Sequence, residues 1–138
     1  MSNKNFIEVI YKKKVIAFVL KKNFFYSGIK FFTKKSSSLQ VGYMSRKKNY
    51  KVNLHFHKEN KLYVKSTVGE VLFVKKGKIE LFLFSNDLKI KKKIICEAGS
   101  LVFLINCTHA INFLTKSELF EVRMGPYDKS NKVLLSIK

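Results

Sequence analysis

All three histidines of the chain fall at spacings that suit metal ligation: His55 and His57 two residues apart, then Glu70, then His109. A strand points alternate side chains to opposite faces, so His55-Phe56-His57 on a strand would put both imidazoles on one side and Phe56 on the other. Glu70 and His109 lie far enough along the chain to occupy two further strands. A closed antiparallel barrel is the architecture that would aim all four inward. Three imidazoles and one carboxylate suit a divalent transition metal, namely zinc, iron, manganese or nickel, and leave one or two coordination positions open for water or substrate. The plainer alternative for any single histidine is a hydrogen-bonded residue on a half-buried strand; the joint pattern with Glu70 is what favours metal.

Other candidates are less specific. Cys107 is two residues from His109 and would share its face on a strand. It reads either as a small buried apolar side chain or as part of a metal pocket wall. Cys96 and Cys107 have neither the short paired spacing of a zinc or redox motif nor the density of a secreted scaffold, so reduced thiols are expected. Arg46 and Arg123 are the only arginines in a lysine-rich chain. They are candidates for gripping an anionic group of a substrate, with surface ion pairs as the alternative. Tyr43 is either a catalytic acid of the pocket, acting with Glu70, or core.

The elements that must position these residues read as strands throughout. No stretch sustains a helical period, and β-branched and aromatic residues dominate. Strands are expected at 6–11 and 15–20, joined across Lys12-Lys13-Lys14 as an N-terminal hairpin, then at 29–33, 39–46, 50–57, 70–74, 78–84, 88–95, 101–104, 109–114 and 120–124. Lys76-Gly77 and Ser85-Asn86-Asp87 are turns, and Gly125-Pro126 stops the last strand. The polar connection from Lys58 to Gly69 separates two proposed ligands at the expected barrel mouth. At 138 residues the chain is one domain: N-terminal strands 1–35, a barrel 36–128 and a C-terminal tail 129–138.

The formal charge is +19, carried almost wholly by lysines spread along the chain. Phosphate and base readout lean on arginine, so this balance argues against specific nucleic-acid binding and for small anionic ligands. No apolar run approaches the length of about twenty residues that spans a bilayer. Val15–Leu20 after a lysine triplet imitates a signal peptide but is too short and lacks a cleavage site. A cytoplasmic protein without membrane association is expected.

With these residues in place, the chain resembles the small single-domain cupins, jelly-roll β-barrels, and among them a subgroup often met beside genes for surface-polysaccharide and nucleotide-sugar biosynthesis. "GIKFFT", "LQVGYMSRKKNY", "HFH", "GEVLFVKKGKIELFLF", "EAGSLVFL" and "FEVRMGPYD" resemble that subgroup's segments in order along nearly the whole chain. The resemblance implies an all-β single cupin antiparallel barrel with an N-terminal β-hairpin extension. It makes His55, His57, Glu70 and His109 the metal ligands. Two features depart from the cupin pattern: twelve residues, Lys58 to Gly69, stand between the histidine pair and the glutamate, and Leu104–Thr108 replaces the usual proline and glycine before His109.

The expected function is a metal-binding cupin that binds or transforms a small polar ligand, a sugar or nucleotide sugar, by isomerase or epimerase chemistry. A non-catalytic ligand-binding or regulatory cupin, and a metal-free sugar isomerase with His55 or His57 as the general base, stand as alternatives, because this fold hosts enzymes and binders alike. A homodimer built partly on residues 6–20 is expected, since edge strands are commonly covered by another subunit.

Overall fold

The computed structural model describes residues 4–35, 37, 39–58 and 69–124. Residues 59–68 of the expected long connection, the Gly125-Pro126 stop and the tail lie outside these residues. The described residues form ten strands and no helix: β1 Phe6–Tyr11, β2 Lys14–Leu20, β3 Gly28–Phe31, β4 Gly42–Ser45, β5 Glu70–Lys76, β6 Lys78–Phe84, β7 Lys91–Glu97, β8 Leu101–Leu104, β9 Thr108–Phe113 and β10 Glu118–Arg123. All pairings are antiparallel. They build a five-stranded sheet in the order β1-β2-β8-β5-β10, a three-stranded sheet β7-β6-β9 and a two-stranded ribbon β3-β4.

The middle of the five-stranded sheet, β2 and β8, is buried on both faces, and the period of two explains how. Val9, Ala17, Val19, Leu72, Val74, Val102 and Leu104 point to one side, where they meet Ile79, Leu81, Leu83, Ile94 and Cys96 of the three-stranded sheet in the main core. Phe18, Leu20 and Phe103 point to the other side, where Phe24 and Val41 cover them, with Phe6, Phe32 and Tyr43 packed alongside. The second core is largely aromatic: Phe18 meets Phe103 edge-on with ring centres 5.4 Å apart, and Phe24 meets Phe32 at 5.5 Å. Burial on both faces is why Val15–Leu20 reads as an unbroken apolar run and not as an alternating one.

The N-terminal hairpin turns at Lys12-Lys13, both with positive φ (47° and 61°), as a two-residue loop between twisted strands requires. β2 then pairs with β8, so the hairpin is built into the main sheet instead of standing in front of it. Its tip is tied to the β6–β7 turn: the Tyr11 hydroxyl donates to Asp87, whose other carboxylate oxygen accepts from the Ser85 hydroxyl at 2.7 Å. These bonds, Tyr11 foremost, hold the Asp87 carboxyl down at about 2.

One expected strand does not form. Residues 51–58 are irregular and exposed, although Val52, Leu54 and Phe56 alternate with polar neighbours. Alternation supplies a strand with a face but not with a partner, and here all three apolar side chains are in solvent, Leu54 completely so. The strand expected at 39–46 shrinks to Gly42–Ser45.

Candidate functional site

Glu70 opens β5 and is flanked on both sides, by Leu104 of β8 and by Arg123 of β10. His109 is the second residue of β9, opposite Leu83 of β6. These strands belong to different sheets, and the chain crosses from one to the other at Gly77, where β5 and β6 follow each other without pairing as a hairpin. The result is that Glu70 Oε2 lies 3.8 Å from His109 Nε2, both side chains partly buried. His109 Nδ1 is 3.4 Å from the Cys107 carbonyl. A carbonyl only accepts, so in this contact Nδ1 is the donor, and Nε2 is the ring atom turned toward the carboxylate.

Cys107 belongs to the same neighbourhood. It packs against the main core, and burial, reinforced by the negative charge of Glu70, pushes its thiol up to about 12. A thiol so disposed stays protonated at neutral pH and lines the site as an apolar surface. Cys96, inside the core, is raised to about 11, again by burial.

His55 and His57 form a second pair. Their rings are 5.1 Å apart and nearly perpendicular, and His55 Nδ1 donates to the Asn53 carbonyl at 2.7 Å, repeating the arrangement of His109 with the carbonyl two residues before it. The two histidines therefore share a side, as their spacing implies, but on an exposed irregular segment. Among the described residues no group of three or more His, Cys, Asp or Glu side chains is close enough to hold a metal. The four expected ligands thus stand as two pairs.

The remaining candidates divide. Arg123, directly across from Glu70, is three-quarters covered and lies 3.8 Å from Glu121 through its Nε. Arg46 is exposed near Gly28 and stacks its guanidinium on Tyr50 at 4.6 Å from the ring centre. Tyr43 packs edge-on against Phe24 in the second core, ring centres 5.0 Å apart. A separate cavity of about 330 Å³ opens elsewhere, between the chain that follows β2 and the β7–β8 turn, and none of the candidate residues lines it. Nothing in the sequence reading pointed to it, because its walls come from three distant segments of unremarkable residue types.

Comparison with protein-family models, with curated proteins and with solved structures finds no match to this chain.

Proposed function

We propose that this all-β protein is a metal-binding cupin whose centre is formed by Glu70 and His109 together with His55 and His57, and that it binds or transforms a small polar ligand of the sugar or nucleotide-sugar kind. The observation that carries the reading is the approach of Glu70 Oε2 to His109 Nε2, 3.8 Å apart across two sheets. Two donors each about 2.0–2.2 Å from one cation cannot be more than about 4.3 Å from each other, so this pair fits a shared ion. The donor chemistry fits as well: a hard carboxylate oxygen and a borderline imidazole nitrogen are together donors that zinc, iron, manganese or nickel accept. The reading requires the exposed 51–58 segment to bring the second imidazole pair onto the first.

When bound, the metal would supply Lewis acidity toward a carbonyl or vicinal hydroxyls. Glu70 would hold or move the proton at its carboxylate, and the Cys107 carbonyl would keep the His109 ring in one tautomer. Arg123, on the neighbouring strand, is the nearer of the two arginines for an anionic group of the ligand.

Metal content of the purified protein, followed by zinc and nickel titration, tests the proposal. One metal per chain is expected. His57→Ala is the cleanest variant, because His57 is exposed and its loss removes a ligand without opening the core; affinity should fall at least tenfold. Protein that holds no metal and takes up none overturns the reading. The Glu70–His109 pair also favours a metal-free isomerase, but with His109 as the base and Glu70 its partner in place of the expected His55 or His57. Activity that survives complete chelation would select that alternative.

A further inference from the structure

The cavity beside the N-terminal hairpin has the makings of a binding site unconnected with the Glu70–His109 pair. Its volume, about 330 Å³, is at the small end of the range that takes a metabolite. Asn5 enters it from the residue before β1, Lys21, Lys22 and Asn23 from the turn after β2, and Glu97 and Ser100 from the end of β7 and the turn that follows. The turn after β2 is fixed by its own backbone: Lys21 N–H donates to the Asn5 carbonyl at 2.8 Å, Phe24 N–H to the Lys21 carbonyl at 2.8 Å, and the Asn5 side-chain amide to the Asn23 carbonyl at 3.0 Å. Gly99 packs against Lys22, leaving no room for a side chain there.

The charges in the cavity are unequally matched. Glu97 is held by two lysines, Lys22 at 2.9 Å and Lys78 at 3.5 Å, and the hydrogen bond from Lys22 is the main reason its carboxyl lies below the usual range. Lys21 is half-buried, and no carboxylate pairs with its ammonium among the described residues. Its charge is left for an anion from solution to meet. Ser100, 2% exposed, adds a hydroxyl to the wall. It is one of two buried polar residues in the described chain. The other, Ser85, is consumed in its own turn by bonds to Asp87, Lys89 and Ile90.

We infer that this cavity binds a small phosphorylated polyol, with Lys21 as the counter-ion of the phosphate and the Lys22–Glu97 pair, Asn23 and Ser100 facing its hydroxyls. A charged carboxylate in the wall rejects ligands that are anionic throughout and favours those offering hydroxyl donors beside one anionic group. The chain's +19 charge raises the local concentration of such ligands without selecting among them; selection falls to the cavity.

The test uses the full chain labelled with ¹⁵N and titrated with glucose 1-phosphate, inorganic phosphate and glucose. Glucose 1-phosphate should give saturable shifts at the amides of residues 21–23 and 97–100, with phosphate weaker and glucose without saturation. Lys21→Ala and Lys21→Met should each weaken binding roughly tenfold to a hundredfold, the loss of one charge-assisted hydrogen bond, while keeping the spectrum of a folded protein. Lys47→Ala removes the same charge from an exposed loop and should leave binding unchanged. Equal loss in Lys47→Ala, shifts confined to other residues, or no saturation with any phosphate overturns the inference. Phosphate bound as tightly as its sugar ester overturns the hydroxyl half of it. Since none of the candidate metal ligands touches the cavity, these outcomes are independent of metal content.

Discussion

Replacing Gly77 by alanine should cost the fold about 2–4 kcal/mol. Gly77 has φ +85°, and a Cβ built there would fall 2.6 Å from the Lys116 carbonyl and also strike the Ser117 side chain. Holding a residue with a Cβ at that φ costs about 1–2 kcal/mol. Ser117 cannot yield freely, because its hydroxyl accepts from Lys78 N–H at 3.1 Å and donates to the Thr115 carbonyl at 2.8 Å; losing such bonds adds about 1 kcal/mol each. Urea unfolding at constant m-value reads the loss directly. In the double variant Gly77→Ala/Ser117→Gly the alanine should cost less than it does alone, yet not nothing, since the Lys116 carbonyl and the backbone angle remain. A loss below about 1 kcal/mol in the single variant, or full additivity in the double, would refute the reasoning. The position matters to the candidate site because this turn joins the strand of Glu70 to the sheet of His109.

Three further outcomes are expected. The Asp87 carboxyl sits at about 2 instead of its ordinary 3.8, so its contribution is complete above the unfolded value and disappears as pH falls from about 4 through 2; melting temperatures recorded across that window should drop in the native protein and drop less in Asp87→Asn. Cys96 and Cys107 should resist iodoacetamide at pH 8 while folded and react in urea, because burial raises both thiols; rapid labelling of native Cys107 would contradict the packing described. β1 is an edge strand of the five-stranded sheet, and light scattering at micromolar concentration should give the mass of two chains; a monomer would remove the case for pairing through residues 6–20.

Much of the strand pattern could be read from the residues because the relevant physics is local. β1, β6 and β8 begin and end where alternation and turn residues place them, and Lys76-Gly77 turns where a positive φ is available. What local pattern could not carry was pairing. Val52, Leu54 and Phe56 alternate as well as any strand in the chain, but no neighbouring strand hydrogen-bonds to them among the described residues. The histidine pair that depended on that strand therefore stands apart from Glu70 and His109. Those two approach each other because each sits near the start of a strand in a different sheet, a relation set by topology and not by spacing. The cavity at Lys21 was invisible for the same reason: the chain passes its walls in three separate stretches.

The double burial of β2 and β8 sets an order of events in time. β2 and β8 lie between two apolar cores, with Ala17, Val19 and Val102 wholly inaccessible, so their amides can meet solvent only when both cores open together. Their exchange should report global unfolding, whereas β3 and β4, held on one side by aromatic contacts, can open alone. Glu70 is bonded through its strand to β8 and His109 is not. Of the two sides of the candidate site, the carboxylate is anchored in the slowest-exchanging part of the molecule, and the imidazole side is the one free to adjust to whatever arrives.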